Sequence, residues 1–273
     1  MRRRWFIYGL LLLAVLLYAW WEREYIEETH VPISCEEWQG RGVCLALLAD
    51  LHARPGDGDY MDEIVRRVLA AKPDAVLLAG DYFNGHNAES SMSADELEEH
   101  LRPLTSLPCV AVLGNHDYYY GEAEARAMFA RLGIPLAEGR RITIRPGGTE
   151  LDVAGVRCMY TFPTTGPIAE KRPGTPLLFL SHTPYGALFS PSGAFLAVCG
   201  HTHGGQLCLP GGKAIKLPDS VTPPVLTRGL HRYNGLPIYT TRGLGTSILP
   251  LRTFCRPEIT FLNIEPHFPS EAK

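Results

Sequence analysis

The apolar run Cys109-Val110-Ala111-Val112-Leu113 ends in Gly114-Asn115-His116-Asp117, and this junction decides how the rest of the chain is read. Three other apolar runs end the same way: 43–49 meets Asp50-Leu51-His52, 75–79 meets Gly80-Asp81, and 195–199 meets Gly200-His201-Thr202-His203. A fifth run, 177–180, leads into Ser181-His182. Five strand-like runs, each followed by groups that bind metal or move protons, place those groups along one rim of a sheet. Open α/β folds put their active sites on that rim.

The intervening segments support α/β architecture. Ile64, Val65, Val68 and Leu69 form one apolar face of a helix over 59–71, and Ser93-Ala94-Asp95-Glu96 is a capping box ahead of Leu97, Leu101 and Leu104. A helix over 122–132 stops at Gly133, and 134–137 is expected as a short fourth strand. From Arg141 the pattern changes to an antiparallel hairpin, 142–144 with 151–154. A βαβα half followed by a mostly β half predicts two sheets in one domain, with strands near 238–241 and 258–264 closing the second. The Pro- and Gly-rich stretch 204–235 reads as a long ordered loop over the site.

Two further features bound the function. The chain has 273 residues, 45% of them apolar, and a net charge of −3. It carries no basic stripe, so nucleic acid is excluded as a partner. At the N-terminus, Arg2-Arg3-Arg4 precedes an uncharged, leucine-rich run from Trp5 to Trp21 with aromatics near both ends. At ~1.5 Å per residue that run reaches about 25 Å, the short side of a bilayer span. We therefore expect a membrane anchor over 1–22, a polar connector over 23–42 and the folded domain over 43–273. Tyr18-Ala19-Trp20-Trp21 offers no small-x-small site for a signal peptidase. The arginines ahead of the run, and Glu22, Glu24, Glu27 and Glu28 after it, favour a single-pass anchor with the domain outside the cytoplasm. The seven cysteines show no paired spacing, which argues against a disulfide framework and pulls towards a reducing compartment.

Asp50, His52, Asp81, Asn115, His182, His201 and His203 make seven candidate ligands, enough for two cations if Asp81 bridges. In extended backbone, Asp50 and His52 would face together, as would His201 and His203. Mixed imidazole and carboxylate donors suit manganese first, with iron or zinc as alternatives. Two divalent cations against two carboxylates leave a positive pocket that would bind phosphate. His30, His86, His100, His231 and His267 are read as ordinary surface or core residues.

These blocks, in this order, resemble the calcineurin-like metallophosphoesterase family, whose motifs are Asp-x-His, Gly-Asp, Gly-Asn-His-Asp/Glu, a lone His and Gly-His-x-His. The resemblance implies a four-layer αββα sandwich, here preceded by a transmembrane helix. It implies Asp50, His52, Asp81 and His203 on one metal, and Asp81, Asn115, His182 and His201 on the other. It also implies a metal-bridging hydroxide that attacks phosphorus in line, with His116 as general acid and Asp117 orienting His116. Residues 200–206 and Arg242-Gly243-Leu244-Gly245 look most like bacterial membrane-associated phosphodiesterases. Some of those cleave the pyrophosphate of UDP-2,3-diacylglucosamine in lipid A biosynthesis. Arg242, Gly204 and Gly205 are the candidate substrate contacts: Arg242 reads equally as a phosphate clamp or a structural ion pair, and Gly204 and Gly205 as a close backbone approach to metals or phosphate or as a simple turn. Many relatives carry Asp where this chain has Asn84, which bears on tuning of the site rather than on its ligands. A lipid-linked substrate met on the cytoplasmic face conflicts with the orientation read from the flanking charges. The rival from another class is a non-catalytic scaffold, as in retromer-type relatives that lack the catalytic histidine; His116 argues against it.

Overall fold

The computed structural model describes residues 2–85, 88–158, 171–217 and 219–266. In chain order the elements are α1 (Arg2–Glu22), β1 (Glu27–Cys35), β2 (Val43–Leu48), α2 (Gly58–Ala70), β3 (Ala75–Leu78), α3 (Ala94–Leu101), β4 (Cys109–Ala111) and α4 (Asn115–Leu132). There follow β5 (Arg141–Ile144), β6 (Leu151–Gly155), β7 (Leu177–Leu180), α5 (Pro184–Ala187), β8 (Leu196–Cys199), β9 (Gly229–Tyr233), β10 (Leu236–Thr240) and β11 (Glu258–Pro266).

Side chains alternate across a strand, and here both faces are apolar. In β2 and β3, Ala46, Leu48, Val76 and Leu78 pack beneath α2, α3 and α4, which supply Ile64, Leu97 and Phe129. The alternate residues Leu45, Leu47 and Leu77 meet Val153, Leu178, Leu180 and Val198 of the other sheet. Outside that second sheet, Leu177, Phe179, Ala197 and Ile238 pack against Ala187 and Leu226. Three apolar seams therefore separate four layers. The outermost, over the second sheet, is thin among the described residues: α5 is only four residues long.

The sheets run β1-β11-β2-β3-β4 and β5-β6-β7-β8-β10-β9. β2, β3 and β4 are parallel, as are β6, β7, β8 and β10. Their C-terminal ends line up, and the ligand-bearing loops emerge there.

Three expectations need correction. The 23–42 connector contains β1, paired in parallel with β11 along nine residues. It is polar because it is an edge strand with one wet face: Val31, Ile33 and Cys35 are buried while the residues between them are exposed. The strand over 258–264 joins the first sheet, pairing with β2, instead of closing the second. Residues 134–137 contribute one isolated bridge, from Leu136 to Ala111, and no strand. The hairpin from Arg141 is present as β5 and β6.

Candidate metal centre

The ligand loops are tight turns. Asp50, His52, Asp81, His201 and His203 all have left-handed backbone, with φ from 44 to 71°. Extended geometry thus does not aim these side chains; left-handed turns do. Such residues cost on the order of 1–3 kcal/mol each and persist where the surroundings over-determine them. Asn115 and His116 form the first turn of α4, and the His116 amide donates to Asp81 Oδ1 at 2.8 Å. Gly114 precedes them with no room to spare, since a Cβ there would lie 2.1 Å from Asp81 Oδ1.

Three groups of ligand atoms converge. Asp50, His52 and His203 form one, Asp81, His182 and His201 another, and His52, Asp81 and His116 a third that links them, the atoms of each lying within 4.8 Å of one another. His52 Nε2 and His203 Nε2 are 3.0 Å apart, and His201 Nδ1 and His182 Nε2 are 3.2 Å apart. Asp81 Oδ2 lies 3.6 Å from His52 Nε2 and 3.2 Å from His182 Nε2. Imidazole nitrogens facing one another around a shared carboxylate are arranged for cations between them. Asn115 Oδ1 is buried with no hydrogen-bond partner among the described residues, as are His52 Nδ1 and His203 Nδ1. A buried, orphaned amide oxygen one residue before an amide bonded to Asp81, together with the converging imidazoles and carboxylates, fits a pair of divalent cations.

The electrostatics agree. Burial pushes His52 and His203 well below the ordinary histidine value and lowers His201, keeping these rings neutral with a lone pair to donate. Burial and the neighbouring Asp81 carry Asp50 up to about 7 against the pull of His182. Burial opposes a charge on Asp81, but His182 and the other rings outweigh it and hold Asp81 well below the carboxylate range. Burial would also lower His182, yet Asp81 and Asp50 raise it to about 9. The pocket stabilises positive charge between its two carboxylates.

Four expected roles change. Asp117 does not orient the His116 ring: its oxygens accept from the amides of Asp81, Tyr82, Phe83 and Gly114 at 2.7–3.2 Å. It ties the β3 and β4 loops together, while His116 Nδ1 donates to the Asn84 carbonyl oxygen. Asn84 spends its side chain on Arg54 and the Ser90 carbonyl. All three nitrogens of the Arg242 guanidinium are engaged, by Glu258, Glu27 and Thr29, so Arg242 is a structural ion pair and not a phosphate clamp. Gly204 and Gly205 form a turn packed against the protein, since Cβ atoms there would meet Arg242 and Ala214 at 2.7 and 2.4 Å. Of the histidines read as ordinary, His30 stacks on Phe261, His100 pairs with Asp62 and His231 faces the Arg228 carbonyl oxygen. His86 and His267 lie outside the described residues.

Two contributors were missed by sequence reasoning. Asp219, in the loop after the His pair, places Oδ2 3.2 Å from His201 Nε2 with its side chain 3% exposed. Burial opposes its charge, but His201 and Thr222 hold it below the usual carboxylate range. Its one signal in the sequence is the turn Asp219-Ser220-Val221-Thr222, where the carboxylate accepts from the Val221 and Thr222 amides. Arg252 is fully buried and donates to the carbonyl oxygens of Gly245, Gly243, Arg242 and Cys255, which stitches the loop under the site.

Comparison with known proteins agrees with this arrangement. A family model described as calcineurin-like phosphoesterase matches residues 45–205. Phosphodiesterase YaeI of Escherichia coli (strain K12) is 30% identical over 230 residues, which is 81% of each chain. The uncharacterized metallophosphoesterase YkuE of Bacillus subtilis (strain 168) is 28% identical, across 74% of this chain and 71% of its own. A Danio rerio transmembrane protein with metallophosphoesterase domain is 27% identical across 86% of this chain, which spans 56% of that relative.

Proposed function

Because this chain belongs to the calcineurin-like phosphoesterase family, we propose that it hydrolyses a phosphodiester or pyrophosphate bond of a membrane-proximal or lipid-linked substrate. The observation that carries this reading is the convergence of Asp50, His52 and His203 in one group and of Asp81, His182 and His201 in another, linked by a third made of His52, Asp81 and His116. Asp50, His52, Asp81 and His203 would hold one cation, and Asp81, Asn115, His182 and His201 the other, manganese first among candidates and iron or zinc next. When bound, such a pair polarises phosphoryl oxygen and acidifies water.

The protein's own groups do the rest. The Asn84 carbonyl oxygen fixes His116 through Nδ1, and Nε2 is the nitrogen that would carry a proton to the departing oxygen. Asp117 keeps the Asp81 and Asn115 loops at one spacing, so the acid and the ligands stay in register. Burial keeps His52, His201 and His203 neutral, so those three rings need shed no proton to ligate, whereas His182, raised to about 9 beside Asp81 and Asp50, gives up its proton when a cation takes that place.

The membrane part of the reading is supported by α1. Its segment Arg4–Glu22, 19 residues, is long and apolar enough to cross a bilayer and is mostly exposed. UDP-2,3-diacylglucosamine is one substrate of the required kind, and the flanking charges favour a domain outside the cytoplasm, where that molecule is not met. Hydrolysis of bis-p-nitrophenyl phosphate by the full chain should need a divalent cation, and His116→Ala should lose about 10²–10⁴-fold in turnover while keeping its metal content. Full turnover in that variant would contradict the assignment, and a non-catalytic scaffold would show no hydrolysis in either protein.

A further inference from the structure

The exit end of α1 is fastened to the domain. Arg252 N donates to the Ala19 carbonyl oxygen at 3.0 Å. The Glu22 carboxylate, on a residue 2% exposed, accepts from the amides of Phe254 and Cys255 at 2.7 and 2.9 Å. The rings of Tyr18 and Phe254 lie 5.5 Å apart. The segment that receives α1 is joined on its other side to the metal loop: Gln206 Nε2 donates to the carbonyl oxygens of Ser247 and Leu249, both at 3.0 Å. Cys208 N donates to the Thr253 carbonyl oxygen at 2.9 Å, and the chain from Cys208 turns back through a bridge to Ala214.

Around this joint, large apolar side chains stand in solvent. Ile248 is 85% exposed, Leu249 48% and Phe254 44%, and on the adjoining turn Leu209 is 51% and Ile215 63% exposed. Single exposed apolar residues are ordinary, but five on two segments hydrogen-bonded to each other form a patch that calls for an occupant. The occupant is indicated by position and charge. The patch adjoins the exit of an apolar helix through residues 252–255, and the exposed Lys213 and Lys216 flank Ile215. Apolar side chains interleaved with lysines suit the boundary between acyl chains and anionic headgroups.

We propose that residues 247–254 and 207–216 form a platform seated in the headgroup region of the same bilayer that α1 crosses. The proposal rests on the reading of α1 as a membrane span. It fixes the pose of the domain, because the fastened end of α1 leaves no free linker. The cleft lined by Arg23, Leu51, His52, Arg54, Tyr60 and Leu244 lies between that end and the metal cluster. Substrate therefore enters along the bilayer surface, and its class is an amphiphile whose phosphoester sits at headgroup depth.

The test uses the full chain in nanodiscs of phosphatidylcholine and phosphatidylglycerol. A nitroxide is placed in turn at I248C, I215C, L12C and R145C, and its collisions with oxygen and with a water-soluble nickel chelate are compared. The unsubstituted chain supplies the background from native thiols. Labels at 248 and 215 should meet oxygen more often than nickel, as should the label at 12, whereas the label at 145, at the opposite end of the strands, should meet nickel. Nickel-dominated labels at 248 and 215 with an oxygen-dominated label at 12 would overturn the platform and leave the anchor standing. They would assign the patch to a protein partner. A nickel-dominated label at 12 would overturn both.

Discussion

His201 shows what a single carboxylate can add to a candidate ligand. A metal-bound histidine is commonly held through its second nitrogen by an acceptor that fixes ring orientation and raises basicity, and Asp219 stands in that place 3.2 Å away. Asp219→Ala should weaken divalent-cation affinity about 10- to 100-fold by calorimetry, with Asp219→Asn between the two, because an amide oxygen still accepts. Unchanged affinity in both would reduce the contact to loop packing. Gly243 is constrained from the other side: at φ 66° its Cβ would fall 2.5 Å from Asp50 Oδ2. Gly243→Ala should displace Asp50, lowering cation affinity by more than it lowers Tm. The candidate ligands were legible because they follow apolar strands, and the strand rule says which end of a sheet is functional. Roles that depend on partners from elsewhere were not. Nothing around Arg242 announces Glu27 and Glu258 as its partners, and nothing in His116-Asp117 says that the carboxylate serves backbone amides while Asn84, a residue from another loop, holds the ring.

At the scale of elements, β1 carries a similar lesson. Glu27–Cys35 alternates buried and exposed only in its second half, so its composition reads as linker, and only the pairing with β11 makes it a strand. The pattern of β2, β3, β4, β7 and β8 was plain because both faces are buried and the runs are continuously apolar. The sheet to which β11 belongs was not, because sheet membership is set by register and not by local pattern. A chain shortened to begin at Tyr18 keeps β1, the Ala19 carbonyl and the Glu22 carboxylate, and should fold with nearly the Tm of the full chain in detergent. A chain shortened to begin at Trp38 uncovers the edge of β11 and should melt lower and aggregate. Equal melting of the two by circular dichroism would mean that β1 contributes nothing to the sheet.

At the scale of the whole molecule, buried charge sets how stability follows pH. Glu258 is 2% exposed, and although burial opposes its charge, Arg242 and the Arg242 amide hold its carboxyl below the ordinary glutamate value of 4.5. With the folded value depressed, the unfolded chain binds the extra proton first. This stabilisation is present above about 4.5 and is lost as pH falls through the folded value below it. Glu258→Gln should lower Tm at neutral pH and flatten its fall in that acid window. An unaltered acid limb would remove the pair from the account.

The central claim is that seven side chains from five loops gather two cations around Asp81. Metal content, measured by inductively coupled plasma mass spectrometry on the full chain after saturation with manganese and removal of excess, tests it most directly. The account predicts about two cations per chain and a marked loss in Asp81→Asn. A content near zero in the saturated chain, or two cations retained by Asp81→Asn, would contradict it.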